Sequence, residues 1–426
     1  MRYKTLALAA ALCLAPGWTL AQEAMPTTAA AGRSLTLQEA LALAQAGNPV
    51  LRARQAQLAA AEGQASDAAA LLASNPQVWT ERTRRRVSAP PGAPRQKEWT
   101  AGIEQSLEIA GQRRHRREAT QEALAAVRLE IDDASRQLRA EVSQRFYRVL
   151  ALQRRVEVEA QALRLFEDTA RAIERRRASG EDTRLDANVA VVEAERARNS
   201  LGGIQEQLLQ ARADLAAGLQ LDAAELPQAA GELQLTPLAY TRDELLQAAL
   251  SQPRLQALQA REQSAQARLR LERAARYPDV TVGVNVGREG PLDARERLTT
   301  VTLSVPLPLF KHNAAGIGQA STELAQAQVE RRAAERDAPA QVQALWSRLQ
   351  SLQLRVERLQ RLVLPTLADN ERLALRSREV GQIGLLELLV TSRQSLDARR
   401  DLIDALLDYH ATRAELEATA GWTSQP

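Results

Sequence analysis

Thr36-Leu37-Gln38-Glu39-Ala40-Leu41, followed by Gly47-Asn48-Pro49, has a counterpart about 200 residues later: Thr241-Arg242-Asp243-Glu244-Leu245-Leu246, followed by Ser251-Gln252-Pro253. Each opening leads into an Ala/Gln/Arg-rich stretch. The first ends at Asn75-Pro76-Gln77-Val78 and the second at Tyr277-Pro278-Asp279-Val280. Further on, Gly180-Glu181-Asp182-Thr183-Arg184-Leu185-Asp186 is answered by Gly381-Gln382-Ile383-Gly384-Leu385-Leu386-Glu387, and Ala213-Asp214-Leu215 by Ala414-Glu415-Leu416. A constant offset over four landmarks means one structural unit written twice. Each copy reads helix, strand, strand, long helix, helix. The chain divides into a leader (1–21), a first repeat (22–220), a linker (221–239) and a second repeat (240–426).

The strand pairs carry the period of two. Trp99, Ala101, Ile103 and Leu107 alternate with Thr100, Gly102, Glu104 and Ser106. In the second copy Val280, Val282, Val284 and Val286 alternate with Thr281, Gly283, Asn285 and Gly287, and Val301, Leu303 and Val305 with Thr300, Thr302 and Ser304. Such alternation over about ten residues is the pattern of a membrane strand, apolar outside and polar inside, or of a small soluble sheet. The segment from Gln77 to Arg86 alternates poorly. A turn-rich loop, Ser88-Ala89-Pro90-Pro91-Gly92-Ala93-Pro94, separates it from its partner.

Long helices follow each pair. No proline occurs between Gly111 and Ser179, room for a helix of roughly 100 Å. Leu124, Val127, Ile131, Ala134, Leu138, Val142, Phe146, Val149 and Leu152 keep coiled-coil steps of three and four. The second copy continues from about Ala315 to Arg378, with bends expected at Pro339 and Pro365. Turns at Gly180 and Gly381 send each helix back to about Gly218 and Gly421.

Bulk composition narrows the function. Arg2 and Lys4, an apolar run from Leu6 to Ala15 and then Thr19-Leu20-Ala21 read as a cleavable secretory signal. That apolar run is about half the length of a spanning helix, so any membrane crossing has to use strands. Cys13 is the only cysteine, so the exported chain is expected to lack thiols and disulfides. Net charge is +4, falling to +2 without Arg2 and Lys4, and aromatics make up 3% of residues, which argues against nucleic acid as a partner. No glycine-rich phosphate loop or Ser/His/Asp arrangement suggests an enzyme. His115, His312 and His410 are scattered, so neither a metal site nor a cofactor is expected.

Geometry then joins these pieces. Four strands cannot close a barrel in lipid, where about eight is the minimum and open edges are forbidden. Membrane strands would therefore have to come from several chains, with the helices forming a tube outside the bilayer.

The chain resembles the TolC family of outer-membrane efflux channels through its repeated Leu/Glu/Ala–Asn-Pro openings, paired strands and Gly-x-x-x-x-x-Asp/Glu turns. Glu104-Gln105-Ser106-Leu107-Glu108-Ile109-Ala110-Gly111-Gln112-Arg113-Arg114 and Val305-Pro306-Leu307-Pro308-Leu309-Phe310 with Asn313 are similar to its cobalt–zinc–cadmium (CzcC-like) branch. The resemblance implies a mainly α fold with β: a homotrimer sharing a twelve-stranded outer-membrane barrel, four strands per chain, continuous with a periplasmic α-helical barrel. It implies partners as well, namely a periplasmic membrane-fusion adaptor, an inner-membrane RND pump and outer-membrane lipid. The expected role is passive export, of divalent metal cations in this branch. The alternatives are a duct for small organic compounds or a secreted protein, or a soluble periplasmic coiled-coil scaffold.

On this resemblance the adaptor docks at the hairpin tips, with Gly180, Thr183, Arg184, Gly381, Gly384 and Leu385 as candidates. Each glycine is equally readable as an ordinary helix cap. Asp186 and Glu387 become candidate pore-aperture carboxylates, or else helix-start residues favoured by the dipole. Arg113, Arg114, Arg116 and Arg117 are candidates for lipid-headgroup anchors or for a solvated helix start.

Overall fold

Thr36 and Glu39 start the first copy by satisfying each other's backbone. Thr36 Oγ1 accepts from the Glu39 N–H at 3.3 Å, and the Glu39 carboxylate accepts from the Thr36 N–H at 2.8 Å. Thr241 and Glu244 make the same reciprocal pair at 3.4 and 2.7 Å. The computed structural model describes residues 33–85, 96–222, 225–290 and 294–422; the leader and the 88–94 loop lie outside these residues.

In chain order the first copy comprises β1 (Ser34–Leu35), α1 (Leu37–Gly47), α2 (Pro49–Ala69), β2 (Gln77–Arg85), β3 (Gln96–Leu107), α3 (Gln112–Ala178) and α4 (Arg184–Leu219). The second comprises β4 (Gln228–Ala229), α5 (Arg242–Leu250), α6 (Pro253–Ala274), β5 (Val280–Glu289), β6 (Glu296–Ser304), α7 (Ala314–Arg358), α8 (Leu364–Glu379) and α9 (Leu385–Ala420). The strands form one antiparallel sheet in the order β2-β3-β5-β6, so the copies meet at β3 and β5. Both outer strands keep a free edge among the described residues. No described helix is long and apolar enough to cross a membrane.

The Ala/Gln/Arg-rich stretch that runs up to Asn75-Pro76 is α-helical only as far as Ala69. Arg113, from the first turn of α3, donates to the carbonyls of Ala70 at 3.0 Å and Ala69 at 3.4 Å, and so occupies the acceptors that further turns would need. Arg116 is clamped on Glu108 at 2.5 and 3.0 Å. These two arginines therefore serve the strand-to-helix junction. The two junctions match: Gly111 before α3 and Asn313 before α7 both adopt the left-handed conformation, at φ 78° and 54°. Asn313 holds it by donating to the Glu272 carbonyl at 2.9 Å.

The expected bends in the second copy resolve differently. Pro339 lies inside an unbroken α7. Pro365 follows a π-helical turn, Leu359–Val363. Its ring crowds the carbonyl four residues back, which also loses its N–H partner, and a wider turn relieves both.

The stripe on α3 becomes core. Leu138, Val142, Phe146 and Val149 pack with Leu35, Ala40, Ala44, Ala211 and Leu215, while Ala162, Phe166 and Ile173 meet Ala187, Ala190, Ala194, Leu385 and Leu389 further out. Charged pairs cross between the copies alongside this packing. Fully buried Glu159 accepts from Arg400 Nε at 2.7 Å and Arg155 Nε at 3.2 Å, and Glu193 accepts from Arg393 Nε at 2.9 Å. Arg155 also donates to Asp404 and Arg400 to Asp397, each at 3.1 Å, so Glu159 sits at the centre of a charged network shared by the two copies.

The linker is strapped down. β1 and β4 form a short parallel pair, a contact the sequence reading left out. Tyr409 donates to the Thr236 carbonyl at 2.9 Å and Tyr240 to Glu417 at 3.0 Å. His410 stacks on Tyr147 with ring centroids 3.9 Å apart, and its Nε2 lies 2.9 Å from the Gln234 carbonyl, so the neutral ring donates there. Burial, with help from the nearby Arg413 charge, outweighs that hydrogen bond and pushes the imidazole down from 6.5 to about 4. Because the folded value is the lower one, protons favour the unfolded chain. Stability is complete above about pH 6.5 and declines as pH falls toward 4, by up to about 3 kcal/mol. His410→Gln should therefore flatten the fall in melting temperature between pH 7 and 4.5, as read by circular dichroism in detergent. An unchanged slope would acquit His410.

Candidate functional site

Strand register divides the sheet into two chemically distinct faces. Trp79 opposes Gly102, Glu81 opposes Thr100 and Thr83 opposes Glu98. Gly287 opposes Thr100, Asn285 opposes Gly102 and Glu289 opposes Glu296. Because opposed residues share a face, Glu81, Glu98, Glu104, Glu289 and Glu296 all lie on one side. Arg85 is the only cation beside them on the described strands, paired with Glu98 at 3.4 Å. The opposite side carries Val78, Trp99, Ile103, Val284, Val286, Val301 and Leu303, all exposed.

The polar face is the more enclosed one, with Glu98, Gly102, Gly283 and Gly287 all buried. A Cβ at Gly102 would lie 2.9 Å from the Trp79 ring, and one at Gly287 the same distance from Thr100 Oγ1. Neighbouring side chains thus close over a glycine-floored trough. Glu98, on this face, is only 6% exposed, and its Oε1 has no hydrogen-bond partner.

The helical hairpins end at the two expected turns. Gly180 and Gly381 take φ of 86° and 76°, where a side chain would be strained. At each turn the next amide reaches back to close the helix, Glu181 N to Arg176 O and Gln382 N to Ser377 O, both at 2.8 Å. Gly180, Thr183, Arg184, Gly381 and Gly384 are exposed. Leu385 is not: at 4% exposure it fills the core beside Ile173 and Ala187, which corrects its placement on a docking surface. The exposed leucines are Leu185 and Leu386, at 71% and 68%.

The two aperture candidates differ in their commitments. Asp186 closes a capping box, accepting from the Thr183 hydroxyl at 2.7 Å and the Thr183 N–H at 3.1 Å. Those hydrogen bonds, hydroxyl first, hold its carboxyl below the usual range. Glu387 has no threonine to cap, since Gly384 stands at that position, and it is exposed.

Asp182 is not recognisable as a site residue from either repeat alone. Its side chain is 6% exposed and joins the two tips, accepting from Arg176 Nε and Arg378 Nη2, each at 2.9 Å. Arg378 also donates to the Ile383 carbonyl at 3.3 Å. The clue was an asymmetry between the repeats, because the second copy has Ile383 where the first has Asp182. Asp182→Asn should speed amide exchange in both turns, around 180–184 and 381–385. Unaltered exchange at the second turn would show that the bridge does not couple them.

Relatives share this architecture. The sequence model for outer membrane efflux proteins matches residues 40–219 and 245–422. The cobalt-zinc-cadmium resistance protein CzcC of Cupriavidus metallidurans is 28% identical over 412 residues, spanning 93% of this chain and 92% of that protein. The outer membrane protein VceC of Vibrio cholerae superposes with a TM-score of 0.75 at 19% identity, covering 90% of this chain and 96% of VceC. The CmeC outer membrane channel of Campylobacter jejuni gives 0.77 at 12% identity, over 91% of this chain and 85% of CmeC. The chain belongs to the outer membrane efflux protein family and is a channel protein, not an enzyme.

Proposed function

We propose that this chain is the exit duct of a tripartite efflux system and that its cargo is divalent metal cations. The observation that carries the cargo is the polar face of the sheet, with its five glutamates against one arginine. In a closed barrel that face lines the lumen, where acidic side chains at close range favour cations over anions. Similarity to a cobalt-zinc-cadmium resistance protein points the same way. Three chains supply twelve strands and cover the free edges of β2 and β6. The duct does no chemistry, and the energy comes from an inner-membrane RND pump reached through a periplasmic adaptor. The adaptor docks at the exposed tip residues Gly180, Thr183, Arg184, Gly381 and Gly384, joined by Leu185 and Leu386. The protein is placed in the outer membrane with a large periplasmic portion.

Reversal potentials of single channels in asymmetric salt test the cargo reading. Wild type should prefer cations, and Glu289→Gln/Glu296→Gln should weaken the preference by a factor of about two or more. An anion-preferring or indifferent wild type would sink the metal assignment. At the aperture, Glu387→Gln should relieve block by divalent ions more than Asp186→Asn, because Asp186 is held in its cap. Equal effects would place both carboxylates at the constriction, and no effect of Glu387→Gln would remove it from the pore.

A further inference from the structure

The apolar face of the same sheet changes character toward the hairpin loops. Apolar residues give way there to Arg82, Arg84, Lys97, Arg288 and Arg297, all exposed, with Trp99 among them. Register places them in two adjoining rows. Arg82 opposes Trp99, Trp99 opposes Arg288 and Arg288 opposes Arg297, while Arg84 opposes Lys97. No acidic residue shares this face on the described strands. Among the described residues none of the five cations has a carboxylate within ion-pair distance, although Glu81, Glu98, Glu289 and Glu296 alternate with them along the chain. The 86–95 connection adds Arg86 and Arg95 to the sequence and no acid.

Two of these pairs, Arg288–Arg297 and Arg84–Lys97, set like charges directly opposite each other, an arrangement that destabilises a sheet unless anions lie between them. Position indicates which anions. The band from Trp99 to Leu107, apolar on this face except at Gln105, covers nine residues, about 26 Å along the strand. At the usual barrel tilt of about 40° that projects to about 20 Å, most of the apolar band of about 25 Å around a membrane barrel. The basic rows therefore sit where that band ends, on the side away from the helices, and Trp99 takes the interfacial position aromatic residues favour.

We propose that Arg82, Arg84, Lys97, Arg288 and Arg297 form a binding belt for lipid headgroups whose phosphates carry uncompensated negative charge, in the leaflet farthest from the helical body. This rests on reading the sheet as a sector of a membrane barrel. Guanidinium groups in register offer paired donors at a spacing that phosphate oxygens can bridge. The site would order lipid around the barrel rather than act on cargo.

Native mass spectrometry of the detergent-purified protein tests it, with diphosphoryl lipid A and phosphatidylcholine as probes. The wild type should retain the phosphorylated glycolipid over phosphatidylcholine. Arg288→Gln/Arg297→Gln should lower that retention about tenfold, and Arg336→Gln/Arg372→Gln, an equal charge loss on exposed helix positions, should not. If the first variant fails to assemble, Arg84→Gln/Lys97→Gln tests the neighbouring row. Equal retention of both lipids, undiminished retention in the belt variants, or complete displacement by inorganic phosphate would overturn the proposal. The same preparation reports the membrane fraction and the oligomeric mass. An assembled membrane protein without lipid preference defeats the belt alone, whereas a soluble, unassembled chain defeats the barrel reading and the belt with it.

Discussion

A sheet with two open edges cannot rest in lipid. β2 and β6 are each nine residues long, and about half the peptide groups of each point away from the sheet. Each unpaired group costs several kcal/mol in hydrocarbon, so the two edges together cost on the order of tens. A folded domain has only about 5–15 kcal/mol to lose. Edge pairing between chains is therefore a condition of the fold in a membrane. The rest of the architecture is compatible with that condition. The copies join at β3 and β5 to make one continuous sector, and the helices leave it through matched left-handed junctions at Gly111 and Asn313.

How much of this the sequence shows depends on whether the information is local. Helix starts at Thr36 and Thr241, turns at Gly180 and Gly381 and the alternation in β3 and β5 depend on residues a few positions apart, and they can be read directly. β2 alternates poorly in hydropathy for a physical reason. Toward the loop both of its faces are polar, Glu81, Thr83 and Arg85 on one side and Arg82 and Arg84 on the other, so the strand is marked there by which face each polar side chain takes and not by hydropathy. Recognising it requires the register, which only the folded sheet supplies. Leu385 and Leu386 illustrate a finer limit, because adjacent helical residues differ by about 100° in direction, and only packing against α3 and α4 decides which is buried. The Asp182 bridge spans the two repeats, beyond any local pattern. The parallel pair β1–β4 is too short to leave a periodic trace.

The hairpins are not equivalent, although their sequences descend from one pattern. α3 runs unbroken to its tip and buries Phe166 and Ile173 on the way. Its counterpart passes through the π-helical turn at Leu359–Val363 and continues as α8, in which no residue is buried within the single chain. Displacing α8 would strip little apolar surface from the protomer. What fastens α8 is polar and not apolar: Ser395 of α9 grips Glu371 at 3.0 Å midway along it, and Arg378 ties its far end to Asp182, so the second hairpin is pinned by charge where the first is glued by its core.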